Sequence, residues 1–217
     1  ELAKEFKYIG TRPDRPDGFD KVTGRAKYGA DVAAVGMLHG AILRSPYAHA
    51  RIKSINFEKA AKLEGVKAIV TRDDFPVGID GDTLKLLENT IAGEFAYYDG
   101  HAIAAVAATS VHVAKEAINE IEVEYEVLPH VIDVDEAIKP DAPVIRENAG
   151  DFSVPEGSSP NVASYIEFGT GDINSGFDKA DLVKSGRFKT EAAHQGYIEP
   201  HACMAQLDHD GQGEMWV

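Results

Sequence analysis

Between Ile121 and Val127 the chain alternates without a break. Ile121, Val123, Tyr125 and Val127 are apolar, while Glu122, Glu124 and Glu126 are acidic. Successive side chains of a strand point to opposite faces, so this run predicts a half-buried strand with one packed side and one wet side. The glutamates stand about 7 Å apart on such a backbone, which suits a solvated face and not a metal site. The residues just before supply a covering layer. Thr109 or Ser110 can cap a helix running through Asn119, with Val111, Ala114 and Ile118 on one side.

The same reasoning organises the rest of the chain. Near the N-terminus Pro13 and Pro16 forbid regular pairing. Met37 to Arg44 is a predicted strand stopped by Ser45-Pro46, and Arg51 to Ile55 is another. Phe57 to Leu63 has helical propensity, with Gly65 placed for a C-cap. Val66 to Thr71 is β-rich and leads into a turn at Asp73 to Pro76. Asp99-Gly100, between Phe95–Tyr98 and His101–Val106, predicts a hairpin. This alternation of strands and helices points to an α/β or α+β layered fold. Pro140 to Pro160 is rich in Pro, Gly, Ser and acidic residues, which predicts a linker or long surface connection. The domains are accordingly placed at residues 1–150 and 151–217. Beyond it, Asp172 is a plausible N-cap for Ile173 to Ala180, and Leu182 to Phe188 is strand-like. Ala202 to Leu207 predicts a half-buried strand with Cys203, Ala205 and Leu207 inward, a turn at Asp208 to Gly211, and a returning strand from Glu214. That return stops at Trp216-Val217, which leaves an indole exposed and predicts either further chain or a partner to cover it.

Composition narrows the function classes. With 44% hydrophobic residues the 217-residue chain can bury a core. Its 22 Lys+Arg against 36 Asp+Glu give a net charge of -14, which repels phosphate backbones and anionic headgroups, so neither nucleic acid nor membrane is expected as a partner. Cys203 is the one cysteine, so no internal disulfide forms. The most apolar run, Ala102 to Ala108, is far too short to cross a bilayer, and no signal-like segment opens the chain. A soluble, cytoplasmic protein is expected.

Local chemistry is sparse. Gly169 to Gly176 lacks the dinucleotide-loop spacing and fits a helix start with glycine before it, and no phosphate-binding P-loop occurs. His194, Glu199, His201 and Cys203 come nearest to a metal-ligand set, but their spacing matches no zinc pattern. Cys203 has no local activating group and is expected to be a small buried residue. Ser45, Ser110 and Ser164 lack a nucleophile elbow.

Six stretches, in order over nearly the whole chain, resemble the aldehyde oxidase/xanthine dehydrogenase family, the molybdenum hydroxylases. They are Arg15–Tyr28 (RPDGFDKVTGRAKY) with Ala30-Asp31, Met37–Ile52 (MLHGAILRSPYAHARI), Gly65–Thr71 with Asp74-Phe75-Pro76, Val123–Pro129 (VEYEVLP), Gly171-Asp172, and His194–His201 (HQGYIEPH). The resemblance implies an α+β fold: an α/β hammerhead domain followed by the first strands of a molybdopterin-binding domain, in the N-terminal part of a large, molybdenum-carrying subunit. It implies hydroxylation of an aldehyde or N-heterocycle with water-derived oxygen and a glutamate as general base. The cofactor implied is molybdopterin, with the cytosine dinucleotide as one form it can take, and iron–sulfur clusters and FAD on other domains or subunits of an oligomer. The alternative is a non-catalytic interaction or assembly module that docks onto a separate molybdenum-binding chain. The family's pterin loop, catalytic glutamate and cluster cysteines have no counterpart before Val217, so no catalytic or metal residue is assigned and the chain alone is expected to be inactive. The glutamine that family members carry near the metal falls close to Gln195, although an ungapped match puts Ala193 there, and a structural amide is the rival role for Gln195. Glu199 is expected to hold backbone amides, and Arg44 and His49 to fix turns.

Overall fold

The computed structural model describes residues 6–76, 81–147 and 153–217. In chain order its elements are α1 (Gly18–Val22), β1 (His39–Arg44), β2 (Ala50–Asn56), α2 (Glu58–Ala61), β3 (Val66–Val70), α3 (Gly81–Thr90), β4 (Phe95–Ala96), β5 (Ala102–Ala108), α4 (Val111–Asn119), β6 (Glu122–Val127), α5 (Val134–Ala137), α6 (Ile173–Asp178), β7 (Met204–Leu207) and β8 (Gly213–Trp216). Single 3-10 turns lie at Gly29–Asp31 and Arg72–Asp74. The chain divides into two compact units, residues 36–184 and residues 1–35 with 185–217. The proposed domain limit between residues 150 and 151 lies outside the described residues.

The larger unit is built on two antiparallel three-stranded sheets, ordered β1-β5-β3 and β4-β2-β6. Helix α4 starts where the sequence predicts, with the Val113 amide donating to Ser110 Oγ at 3.2 Å. Ala114 is buried and Ile118 packs on the core as the spacing suggests, Ala117 joins them, and Val111 alone of the predicted face is exposed. Small residues there let the helix lie close to Ala104, Val106, Ala60 and Ile121. A second cluster gathers Ala92, Ala96 and Ile103. Leu43, Ile55 and Val123 pack against both clusters, so the two sheets share one core.

Strand β6 behaves as its alternation demands. Val123 and Tyr125 face inward, and the three glutamates face water. Lys59 and Lys53 reach Glu122 and Glu124 at 2.6 and 4.0 Å, exposed pairs of small energetic weight. Val127 departs from the pattern and is exposed.

Two local expectations are corrected. Phe95–Tyr98 and His101–Val106 do not form a hairpin: β4 pairs with β2, whereas β5 pairs with β1 and β3. The turn itself exists, with Gly100 at φ 86° and the His101 amide donating to Tyr98 O at 3.1 Å. It is clamped to the end of β1 instead of folding back: Ser45 N–H donates to His101 O and Gly100 N–H to Ser45 O, both at 2.8 Å, and Arg44 Nη1 donates to Gly100 O at 2.8 Å. The chain therefore crosses from one sheet to the other at this point. Gly65 has the positive φ expected of a cap, 96°, but α2 ends earlier, with Lys62 as its C-cap.

Asp172 caps α6 as expected, accepting from Ser175 N–H at 3.1 Å. Leu182 to Phe188 is not a strand; Leu182 and Phe188 are exposed, and the segment finds no ladder partner among the described residues. A β-prone run forms a strand only where a neighbour completes its hydrogen bonds.

In the smaller unit β7 and β8 form a hairpin, Met204 facing Trp216 and Leu207 facing Gly213. The reversal is closed by Asp208 N–H on Gln212 O at 2.8 Å, with Gly211 at φ 84°. The hairpin's phase is opposite to the expected one. Cys203, Ala205 and Leu207 are exposed, while Ala202, Met204 and Trp216 are half-buried. Pairing Met204 with the one large indole on the same face decides this, because it shelters the most apolar area. None of the described helices is long and apolar enough to cross a membrane.

Candidate functional site

The segment from His194 to Cys203 carries the residues that the sequence singles out. His194 Nδ1 accepts from the Gly196 amide at 2.9 Å, and Gly196 adopts φ 62°, so the chain turns sharply at Gln195. Tyr197 then stands edge-on to two imidazoles, His194 at 6.2 Å and His201 at 5.4 Å between ring centroids. The following residues line a concavity of about 650 Å³ with Tyr197, Glu199, His201, Cys203, Gly29 and Val217 on its walls. Gly29 allows a close approach there: a Cβ would lie 3.2 Å from the Ala202 carbonyl oxygen, a tight contact, and 3.5 Å from the Val217 carbonyl carbon.

Gln195 is exposed and does not line the concavity, and its carboxamide forms no hydrogen bond among the described residues. Ala193, the other residue the family spacing allows, is exposed as well. Glu199 holds no backbone amide among the described residues, which corrects the structural role expected of it. Cys203 is exposed, not buried. No group of three or more His, Cys, Asp or Glu that could hold a metal occurs among the described residues. The segment thus offers a neutral amide, two imidazoles, a phenol and a carboxylate on an accessible turn. Such a set can hydrogen-bond a neighbouring group, but it is not a protein ligand shell for a metal.

Arg44 and His49 do fix turns. Arg44 clamps Gly100, and the buried His49 donates from Nδ1 to the Pro129 carbonyl at 2.9 Å, closing the end of the β2–β6 pair.

Sequence reasoning missed a second cluster, on the larger unit. The imidazole of His101 is wholly buried. Its Nδ1 accepts from the Tyr97 amide at 3.2 Å, which puts the proton on Nε2, and Nε2 meets no hydrogen-bond partner among the described residues. Burial holds the His101 pKa below the ordinary imidazole value; the Glu88 backbone carbonyl opposes this and the Arg146 charge adds to it. Burial also raises the Tyr97 phenol, with Glu88 adding to the rise. Arg146 pairs with Glu88, donates to Asn89 Oδ1 at 3.0 Å and lies over the Tyr97 ring at 4.9 Å. Helix α3, which supplies Glu88 and Asn89, has an available signal in its leucines Leu84, Leu86 and Leu87. The pairing with Arg146, more than fifty residues away, has none.

Comparison with known proteins agrees with the order of the parts. The profile of the aldehyde oxidase and xanthine dehydrogenase a/b hammerhead domain matches residues 23–129, and that of the molybdopterin cofactor-binding domain matches residues 154–217. A probable xanthine dehydrogenase component from Bacillus subtilis is 34% identical over 94% of this chain. The carbon monoxide dehydrogenase large chain of Afipia carboxidovorans is 32% identical over 100% of it. The chain spans 26% and 28% of the lengths of those two relatives. Among solved structures, the aldehyde oxidoreductase of Desulfovibrio gigas superposes with a TM-score of 0.72 at 27% identity, covering 93% of this chain and 22% of the other. With both profiles matched in order and the fold shared, the chain belongs to the aldehyde oxidase/xanthine dehydrogenase family, the molybdenum hydroxylases, and within it to the large-subunit type.

Proposed function

We propose that this chain is the N-terminal part of the catalytic subunit of a molybdenum hydroxylase that oxidises an aldehyde or an N-heterocycle, taking the added oxygen from water. The observation that carries the reading is the succession of hammerhead and molybdopterin-domain matches along one chain, residues 23–129 and then 154–217. Residues 1–150 form the hammerhead domain and residues 151–217 open the molybdopterin-binding domain. The partners are the remainder of the molybdenum subunit, iron–sulfur and FAD-bearing domains or subunits that carry electrons away, and a small-molecule substrate, in a cytoplasmic oligomer. The cofactor is molybdopterin, for which the cytosine dinucleotide is one form it can take.

When bound, the molybdenum cofactor supplies the two-electron oxidation chemistry. This chain's contribution is positional. Gln195, held at the apex of the turn by the His194–Gly196 bond, presents an uncommitted carboxamide. A neutral amide can donate to or accept from the cofactor without altering its charge, which suits a neighbour and not a ligand. The fit is therefore to a contact residue.

The test is metal analysis of the complete subunit purified with its partners, followed by turnover on aldehyde and N-heterocycle panels. Stoichiometric molybdenum with oxidation of either class is the expected result. A complete subunit that binds no molybdenum, while a separate partner chain carries all of it, would overturn the catalytic reading. Gln195→Ala in that enzyme is expected to lower kcat/KM about tenfold or more at unchanged molybdenum content, the scale of loss seen when a positioned contact is removed. An unchanged kcat/KM removes Gln195 from the site.

A further inference from the structure

Residues 138–147 have no helix or strand to hold them, yet they follow a fixed course. Their order comes from two side chains that follow in the sequence, Asn161 and Ser159. Asn161 Nδ2 donates to the carbonyls of Ala137 and Pro143 at 3.0 and 2.9 Å, and Asn161 Oδ1 accepts from the Ile145 amide at 3.0 Å. Ser159 Oγ adds a bond to the Ala137 carbonyl at 3.2 Å. These bonds tie the strap to the turn at Ser159 and Asn161. Its polar ties to α3 and the two sheets run, among the described residues, through Arg146. The guanidinium fork takes Glu88 and Asn89 at the end of α3 and lies on Tyr97. Tyr98 Oη in turn donates to the Asn89 carbonyl at 2.7 Å, which joins the end of α3 to the residue after Tyr97.

We propose that Arg146 is a latch that holds the strap of residues 137–147 closed over an aromatic shelf formed by His49, Phe95 and Tyr97. The shelf is a continuous stack, with centroids 6.3 Å apart for His49 and Tyr97 and 6.1 Å for Phe95 and Tyr97. The strap and the shelf enclose a cleft of about 540 Å³. The pair that closes it is well suited to two states. Arg146 and Glu88 keep only 20% and 34% of their side-chain surface exposed, so the contact is partly desolvated and strong when made. Both partners are nevertheless at the rim, where water can take them back when the strap lifts. Loss of this one side chain leaves the Asn161 bonds intact but frees the strap, together with Ser159 and Asn161, as a body, which is what separates a latch from a general packing residue.

Hydrogen exchange on the full chain reads this directly. In Arg146→Ala, amides of residues 137–147 are expected to exchange at least tenfold faster, while those of β5 and β6 stay within twofold of the parent. Arg146→Lys should fall between, because it keeps the charge but loses the fork and the flat stacking surface. Raising the salt to about 1 M should speed strap exchange in the parent and not in Arg146→Ala, since the ion pair is the screened element. Strap exchange within twofold of the parent overturns the proposal. So does a parallel rise in β5 and β6, which would make Arg146 a residue of the fold as a whole. If Arg146→Ala does not fold, Glu88→Gln is read by the same criteria.

Discussion

Gly65 shows how one residue couples backbone and packing. Its φ of 96° lies where only glycine is comfortable, and a Cβ built on it would sit 2.6 Å from Thr109 Oγ1. The Thr109 amide also donates to the Gly65 carbonyl at 2.9 Å, so neither residue can back away freely. Gly65→Ala is expected to destabilise the chain by about 1–3 kcal/mol in urea titration; a change below about 0.5 kcal/mol would mean that the turn relaxes without cost. His101 carries a pH signature. Its pKa is depressed in the folded state, so the unfolded chain, titrating near about 6.5, binds the extra proton first. Stability from this group is complete above that pH and is lost as pH falls toward the lower folded value. Protonating Nδ1 also sets two donors against each other at the Tyr97 amide. His101→Gln should flatten the loss of stability between pH 7 and pH 5 relative to the parent, and an identical pH slope in both proteins would remove His101 from the account. At this scale the sequence was legible wherever the cause is local, as for Asp172 and for the glycine requirement at Gly65. Cys203 and Glu199 were misread because exposure depends on what packs nearby, and no local signal states it.

Helix α4 and strand β6 were both legible, and for a common reason: each is specified by its own residues. Ser110 caps through its own hydroxyl, and the glutamates of β6 mark the wet face without reference to a partner. Removing that hydroxyl in Ser110→Ala is expected to cost about 1 kcal/mol, the usual worth of a serine N-cap. Because α4 packs on the β1–β5 pair, the loss should appear as a lower urea midpoint at constant m value; a changed m value would point to a reshaped folded or unfolded state instead. Strand pairing was less legible. Asp99-Gly100 is a sound turn signal, but whether two flanking runs pair with each other depends on competitors elsewhere. Here β1 wins β5 through the Ser45 and Arg44 clamp, and β2 takes β4. The inverted phase of β7 has the same origin, since the position of Trp216 across the hairpin outweighs the pattern within the strand.

Among the described residues the buried apolar side chains run from Ala50 to Ile121, so each of these belongs to the larger unit. In the smaller unit Phe19, Phe188, Ile198, Leu207 and Val217 are exposed, and the two-stranded β7–β8 sheet is its extended secondary structure. A two-stranded hairpin with little buried area is marginal on its own, whereas two sheets and a helix closed around a shared core support cooperative unfolding. The chain should therefore melt in two stages, the smaller unit first. Trp216 is the single tryptophan and lies on β8, so its fluorescence reports the smaller unit without interference. Far-UV circular dichroism is dominated by the strands and helices of residues 36–184 and reports the larger. On heating, the Trp216 emission should shift to the red at a lower temperature than the loss of ellipticity, by several degrees or more. A chain cut to residues 36–184 should keep its ellipticity transition close to that of the full chain, because the buried core lies wholly within it. Coincident transitions for both probes would show one cooperative unit.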